Sequence, residues 1–349
     1  MTMSPTQEAV SKPVAWAPRP CFSVENAREI PRARRPCHVL KPLQVLRGGP
    51  VAVFIFALLC AAAPTRAGEA PRQVGDVEYA RVGDQRLMLD LSLPPRPAQN
   101  ADRPPLVVWV HGGAWRAGSR KDMPLGQLVE RGYAVASVDY RLSTVARFPA
   151  QVHDIKAAIR FLRAKQKEYG YDATRVAIAG NSAGGHLAAL VGVTNGNSDL
   201  EGTVGEHVKE KSDVQAIISL YGMSNLTTIL AQSTPHGLTV RVPALQLLLG
   251  GQPEEVPSLA RLASPVFHVD AGDPPLLLIH GDQDPQAPIN QSHELDGRYE
   301  ALKLPHQFVV LHGSKHGGPE FFDAERCNLM AGFLAEHLKP NAGRDPSTR

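Results

Sequence analysis

The sequence predicts an α/β domain built on a doubly wound, mostly parallel, eight-stranded sheet. From about residue 75 onward, short runs of β-branched and apolar residues alternate with longer amphipathic stretches, as in sheets with helices on both faces. The run LVVWV at 106–110 is apolar at every position, which is typical of a central strand buried on both faces. We therefore expect one domain over residues 68–349.

The predicted elements begin with an antiparallel hairpin, because two strand-like stretches flank a Gly83-Asp84 turn. Strands are predicted at 77–82, 87–93, 106–110, 133–138, 175–179, 214–220, 275–279 and 307–311, and helices at 121–131, 149–169, 183–193 and 319–338. Residues 224–262 interrupt this alternation with a Leu-rich, irregular stretch. That stretch predicts a short lid inserted over the sheet.

The positive charge of the chain is concentrated in its first 50 residues. The formal net charge is +3, but residues 1–50 contain eight Lys/Arg and three Asp/Glu, which leaves −2 for the rest. A domain that binds nucleic acid presents a basic face. The charge distribution therefore argues against a nucleic-acid partner.

A run of 13 apolar residues at 51–63 (VAVFIFALLCAAA) follows Arg47. It is shorter than the roughly 20 residues of a membrane span, but it has the basic flank and small-residue exit of a secretory h-region. We expect residues 1–67 to be a leader cleaved after Ala67, a translation start near residues 39–47, export to the periplasm or medium, and no stable membrane span. Cleavage would leave Cys327 as the only cysteine, with no partner for an intramolecular disulfide.

The segment Gly180-Asn181-Ser182-Ala183-Gly184 lies between a predicted strand and a predicted helix. In this setting a G-x-S-x-G pattern is typical of a nucleophilic serine, because the sharp turn exposes the hydroxyl group. The helix N-terminus behind it favours developing negative charge, and the glycines let strand and helix approach closely. Ser182 is therefore the candidate nucleophile.

A glycine-rich turn, HGGAW at 111–115, follows the strand at 106–110. Such a turn can direct main-chain N–H groups at an oxyanion. The predicted oxyanion hole comprises Gly112, Gly113, Ala114 and Ala183. We expect His111 to fix the turn by hydrogen bonding. Trp115 either binds substrate by lining the acyl pocket or packs beneath the turn, and the sequence leaves both interpretations open.

An acid and a base follow the serine in the order that a Ser-Asp-His triad requires. The loops HGDQDP at 280–285 and HGSKHGG at 312–318 each follow a predicted strand. We choose Asp284 over Asp282, and His316 over His312, because each lies farther along its loop and can reach across. The predicted catalytic residues are therefore Ser182, Asp284 and His316.

From about residue 75 to 338 the chain resembles the esterase/lipase branch of the α/β-hydrolase superfamily. It is most similar to the bifunctional acetylxylan/feruloyl-esterase-like group, beside the hormone-sensitive-lipase-like esterases. The matching segments are HGGAW at 111–115, DYRL at 139–142, GNSAGG at 180–185, HGDQDPQAP at 280–288 and HGG at 316–318. The resemblance implies the same triad and oxyanion turn, on an α/β-hydrolase fold. Ala287 departs from the family, which often has Val or Ile there.

These patterns together predict a serine hydrolase that cleaves carboxylic esters through an acyl-enzyme. The expected substrates are short-chain or carbohydrate-linked acyl esters, either small molecules or esters linked to a polysaccharide. An acyl-amide hydrolase, such as an arylformamidase or a peptidase relative, is the alternative. A non-enzymatic binding protein is disfavoured because all three triad residues are present. No cofactor is expected, and the histidines lack H-E-x-x-H spacing, so no metal site is predicted.

Overall fold

The computed structural model describes residues 70–95 and 102–340, which belong to one compact unit, Pro64–Arg349. The predicted h-region, translation start and cleavage point, together with Cys21, Cys37 and Cys60, lie outside the described residues. Cys327 is buried and has no disulfide partner among the described residues. Within the described part of the chain, no helix is both long and apolar enough to span a bilayer.

The described residues form one eight-stranded sheet in the order β1-β2-β4-β3-β5-β6-β7-β8. The strands are β1 (Arg72–Val82), β2 (Gln85–Leu93), β3 (Pro105–Val110), β4 (Ala134–Val138), β5 (Asp172–Asn181), β6 (Ala216–Leu220), β7 (Leu276–Gly281) and β8 (His306–Leu311). β2 pairs antiparallel with both β1 and β4, and all other neighbouring pairs are parallel. The predicted class, a doubly wound and mostly parallel eight-stranded sheet, is confirmed.

Helices cover both faces of this sheet. Within the described residues they are α1 (Gly126–Glu130), α2 (Ala150–Tyr169), α3 (Ala183–Gly192), α4 (Ser198–Glu201), α5 (Ile229–Gln232), α6 (Pro235–Leu249), α7 (Pro257–Leu262), α8 (Asn290–Ala301) and α9 (Ala324–His337). Short 3₁₀ turns occupy Pro265–Phe267 and Pro319–Phe321. Helix α1 is shorter than the predicted 121–131, because Pro124 disfavours a helical conformation of the residue before it.

Strand β3 shows why an uninterrupted apolar run is needed at the centre of the sheet. Leu106, Val108 and Val110 pack in one hydrophobic core, whereas Val107 and Trp109 pack in a second core. The first core contains apolar residues of α2 and α3, and the second contains those of α1 and α9. Alternate side chains of a strand point to opposite faces, so a strand covered on both faces must be apolar throughout.

The segment between β6 and β7, where a short lid is predicted over residues 224–262, contains helices α5, α6 and α7. The hydroxyl of Thr234 caps α6 by accepting a hydrogen bond from the N–H of Gly237 at 3.0 Å. The segment also contacts the loop after β7. Thr234 Oγ1 donates to the carbonyl of Pro285 at 2.7 Å, and Arg241 Nε donates to the carbonyl of Gln286 at 3.1 Å.

Candidate active site

The carboxyl ends of five parallel strands bring the candidate residues to one edge of the sheet. β3 leads into the glycine-rich turn, β5 into Ser182, β6 into Tyr221, β7 into the loop that contains Asp284, and β8 into the loop that contains His316. Parallel strands end at a common edge, where α/β sheets place their ligands. Residues that are far apart in the sequence therefore meet there.

Ser182 lies at a strained turn between β5 and α3. Its φ of 52° and ψ of −120° belong to a region that residues other than glycine rarely occupy. A Cβ on Gly184 would overlap the carbonyl oxygen of Val110, and a Cβ on Gly180 would overlap that of Gly184. Glycine at both positions therefore allows β3, β5 and α3 to pack closely around the serine.

The three predicted catalytic side chains form a continuous chain of hydrogen bonds. Ser182 Oγ lies 2.8 Å from His316 Nε2, and His316 Nδ1 lies 2.6 Å from Asp284 Oδ2. If Asp284 accepts the Nδ1 proton, Nε2 presents its lone pair to the serine hydroxyl. This geometry allows His316 to take the proton of Ser182 while Asp284 stabilises the imidazolium.

Asp284 is held in place by hydrogen bonds to both of its carboxylate oxygens. Oδ1 accepts the main-chain N–H groups of Gln286 and Ala287, each at 2.8 Å, while Oδ2 faces His316 and lies 3.2 Å from His280 Nε2. Burial alone would raise the pKa of Asp284, but the hydrogen bonds from His280 and His316 outweigh burial and lower the pKa. Asp284 is therefore ionised at neutral pH, as an orienting acid must be.

Asp282 has a different partner, although it lies only two residues earlier in the same loop. It accepts hydrogen bonds from the N–H of Gly313 at 2.7 Å and from His312 Nδ1 at 2.8 Å. The side chain of His312 is 86% exposed. The structure thus brings Asp284, and not Asp282, next to His316, and the Asp282–His312 pair lies at the surface.

The environment of His316 favours its neutral form. Burial lowers the pKa of His316, and this effect exceeds the opposing effect of the hydrogen bond that His316 donates to Asp284. The ring of Tyr221 packs edge-on against the imidazole, with centroids 4.9 Å apart. A neutral imidazole is the form that accepts the serine proton.

We expect kcat/KM for an uncharged ester to rise with pH through an apparent pKa below 6.5, the ordinary value for histidine. His316 must be neutral to act as a base, and its lowered pKa keeps it neutral into mildly acidic solution. The measurement is kcat/KM from about pH 4 to pH 9 at constant ionic strength. A midpoint above about 7 would contradict the effect of burial, and a profile with no rise would contradict a histidine base.

The turn after β3 offers main-chain donors beside the serine. Gly113 and Ala114 have positive φ values of 104° and 50°, and within the described part of the chain neither N–H donates to an acceptor. Ala183 is the first residue of α3, so its N–H has no acceptor within the helix. A Cβ on Gly112 would lie 3.3 Å from the Cβ of Ser182. The predicted oxyanion residues therefore surround the nucleophile, with three N–H groups available.

Trp115 packs beneath this turn and is fully buried. Its indole N–H donates to His186 Nδ1 at 3.0 Å, and His186 Nε2 donates to the carbonyl of Ala263 at 2.7 Å. Burial lowers the pKa of His186 to about 4, so this imidazole is neutral. Because Trp115 does not line the cavity beside Ser182, the structure favours packing over the substrate-binding role considered for it.

Other histidines near the site make structural contacts. His111 stacks on Tyr140 with ring centroids 4.4 Å apart, and its Nδ1 lies 2.8 Å from the carbonyl oxygen of Gly112. His280 Nδ1 lies 2.7 Å from the hydroxyl of Ser292. Among residues 70–95 and 102–340, no group of three or more His, Cys, Asp or Glu side chains could hold a metal ion.

A cavity of about 400 Å³ opens beside Ser182 and His316. Besides the predicted catalytic residues and the glycine-rich turn, its lining includes residues to which the sequence assigned no site role: Arg116, Asn181, Tyr221, Arg241 and Gln286. Tyr221 directly follows β6, and its position at a strand end could have indicated it. No short motif marks Arg241, which lies in the middle of α6.

A second cavity, of about 560 Å³, shares Gly113 and Asn181 with the first. Its lining also includes Trp109 and Phe322 but neither Ser182 nor His316.

Sequence comparison gives two findings. The sequence model of the BD-FAE family matches residues 89–299, from β2 to α8, a range that includes Ser182 and Asp284 but not His316. Esterase LipC of Mycobacterium tuberculosis is 31% identical over 250 residues, which cover 70% of this chain and 59% of LipC. The chain thus spans less than two thirds of the length of this curated relative.

Two solved structures are similar over most of the described domain. A truncated carbohydrate esterase from gut microbiota superposes with a TM-score of 0.67 at 31% identity, covering 76% of this chain and 96% of that chain. Esterase 2 of Thermogutta terrifontis, phosphorylated by paraoxon, superposes with a TM-score of 0.61 at 25% identity, covering 78% and 96% of the two chains.

Proposed function

The chain belongs to the BD-FAE family of α/β-hydrolases, and on that premise we propose that it is a serine hydrolase of carboxylic esters. The proposal depends on one observation above all. This is the hydrogen-bonded chain from Ser182 through His316 to Asp284, which lies beside unoccupied main-chain donors at the carboxyl edge of the sheet.

In the first half of the reaction, Ser182 Oγ attacks the ester carbonyl carbon while His316 Nε2 takes the hydroxyl proton. The N–H groups of Gly113, Ala114 and Ala183 donate to the oxyanion of the tetrahedral intermediate, and such donors each contribute roughly 10²–10³ in kcat. The intermediate then collapses. The bond to the alcohol oxygen breaks, and the imidazolium gives its proton to the departing alkoxide, which leaves an acyl-enzyme.

In the second half, water replaces the alcohol. His316 removes a proton from the water as its oxygen attacks the acyl carbon, and the same donors hold the second oxyanion. The bond to Ser182 Oγ breaks, the serine regains its proton, and the carboxylic acid leaves. The net reaction converts an ester and water into an acid and an alcohol. Every proton passes through His316.

The names of the similar proteins support esters as the substrates. LipC is described as an esterase and the gut protein as a carbohydrate esterase. The Thermogutta esterase reacts with paraoxon to give a phosphorylated protein, which is typical of a nucleophilic active-site serine. We propose short-chain or carbohydrate-linked acyl esters as the substrate class, a choice supported by the similarity to the carbohydrate esterase.

The test is a panel of esters and amides assayed with one enzyme preparation. It contains 4-nitrophenyl acetate, butyrate and octanoate, acetylated xylan and methyl ferulate, with N-formylkynurenine and aminoacyl anilides as the amide arm. We expect the highest kcat/KM for acetate or butyrate, lower values for octanoate, and little turnover of the amides. Faster turnover of the amides than of every ester would replace the proposal with an acyl-amide hydrolase.

A further inference from the structure

A buried arginine lines the cavity beside Ser182. Arg241 lies in α6, is 1% exposed, and borders the same cavity as Ser182 and His316. Its Nε donates to the carbonyl oxygen of Gln286, and its Nη1 lies 3.6 Å from the sulfur of Met223. Arginine has five N–H donors, so these two contacts leave most of its hydrogen-bonding capacity unused within the described residues.

The charge of Arg241 also has no carboxylate partner. Among the described residues no Asp or Glu oxygen lies within salt-bridge distance of its guanidinium. The nearby Asp284 is already engaged by its two main-chain N–H groups and by His280 and His316. Burial lowers the pKa of Arg241 to about 10, so the side chain is still charged at neutral pH.

The cavity contains a second cation. Arg116, which follows the oxyanion turn, lines the same cavity and makes no salt bridge among the described residues. The charge of Arg116 lowers the pKa of Arg241, whereas the larger effect of Asp284 raises it. The guanidinium carbon of Arg241 lies 5.8 Å from the ring centroid of Trp115, a cation–π contact that offsets only part of the cost of burial. Two like charges facing one small cavity repel each other, and burying a charge without an ionic partner is costly. An anion bound between them would remove both penalties.

We propose that this cavity binds esters that carry a carboxylate, which Arg241 and Arg116 hold while Ser182 attacks the ester carbonyl. The inference rests on the proposed ester hydrolysis and specifies its substrates. A guanidinium group matches a carboxylate by forming two parallel hydrogen bonds between charged groups. The carboxylate belongs either to the acyl part or to the alcohol part of the ester.

The test compares matched charged and neutral esters at constant ionic strength. For the acyl side the pair is mono-4-nitrophenyl adipate and 4-nitrophenyl hexanoate. For the alcohol side it is 4-acetoxybenzoate and methyl 4-acetoxybenzoate. In at least one pair, the wild type should have a kcat/KM for the charged ester that is about tenfold or more above the value for the neutral ester. Hydrogen bonds between charged groups contribute an effect of this size. The pair that shows the preference identifies the side that bears the carboxylate.

The variants test the arginines by the ratio of the two kcat/KM values within a pair. Arg241→Met should lower that ratio by about 10- to 100-fold, mainly through KM for the charged ester, and Arg241→Lys should give an intermediate ratio. Arg116→Gln, at a partly exposed position, tests the same site if Arg241→Met does not fold. As a matched control, Arg261→Met removes an arginine of α7 that packs on Phe267 outside the cavity, and it should retain the wild-type ratio.

Three results would count against these proposals in different ways. Hydrolysis of the neutral esters with no preference for either charged ester would overturn the carboxylate inference and leave ester hydrolysis intact. A preference that survives both Arg241→Met and Arg116→Gln would overturn the role of the arginines. Failure to hydrolyse any member of either pair would contradict the proposed function itself.

A binding measurement tests the inference independently of turnover. Calorimetry should show that mono-4-nitrophenyl adipate binds to Ser182→Ala, and that adding Arg241→Met to this variant weakens the binding.

Discussion

Replacing Ser182 with alanine should leave a folded protein whose kcat for 4-nitrophenyl acetate is about 10⁴- to 10⁶-fold lower, the effect seen when a triad nucleophile is removed. The physical reason is that no other described hydroxyl lies within hydrogen-bond distance of His316 Nε2, which is 2.8 Å from Ser182 Oγ. Alanine also fits the strained turn no worse than serine does. The measurement is steady-state turnover, with circular dichroism to verify the fold.

A fluorophosphonate probe gives a second readout of the same substitution. It should label the wild type at Ser182 and leave Ser182→Ala unlabelled. Ser314→Ala is a matched control, because Ser314 lies in the loop of His316 but its side chain makes no hydrogen bond with the described residues. That variant should keep both activity and labelling. Labelling of Ser182→Ala at wild-type level would assign the nucleophile to another residue.

Replacing Asp284 with asparagine should lower kcat by about 10⁴-fold, the loss produced by an amide at the orienting position of a triad. The asparagine oxygen can still accept the N–H groups of Gln286 and Ala287, so the loop should keep its conformation. Its NH₂ group would then face His316 Nδ1 and stabilise the tautomer with the proton on Nε2. That tautomer cannot accept the serine proton. The measurement is kcat and the melting temperature of the same preparation.

Asp282→Asn is the matched control for this substitution, since it makes the same chemical change two residues away. Asp282 pairs with the exposed His312 and does not reach His316. Most of the turnover should therefore remain, with at most a small decrease in melting temperature. If Asp282→Asn abolished turnover and Asp284→Asn did not, the acid of the triad would be Asp282.

Strand positions could be predicted from the sequence because burial on both faces leaves a simple apolar signature. The run LVVWV became β3, and each of its residues lies in one of two hydrophobic cores. Helix α8 could not be predicted in the same way. Its buried face comprises Gln291, Ser292, Leu295 and Tyr299, so two of its four buried side chains are polar and the apolar pattern of a helix is weak. Hydrogen bonds such as that between Ser292 and His280 satisfy those polar groups, and only the folded chain supplies them.

The candidate site divides in a similar way. Short motifs at strand ends predicted Ser182, Asp284 and His316, and the family resemblance carried by those motifs is confirmed. The choice of Asp284 over Asp282 relied on reach along a loop, and the structure brings that residue to His316. Arg241 was not predictable, because its contact with Gln286 joins residues 45 positions apart, through a helix that contains no motif.

The insertion between β6 and β7 has a consequence for how enzymes of this architecture diverge. It leaves the sheet at one strand end and returns at the start of the next, so changes in its length or composition need not shift the register of any strand. The nucleophile and the base follow β5 and β8, outside the insertion, whereas Arg241 lies within it. Mutation and selection can therefore alter which esters are admitted while the reaction chemistry is conserved. In a lineage with this arrangement, new substrate preferences can arise in the insertion before any change at the strand ends.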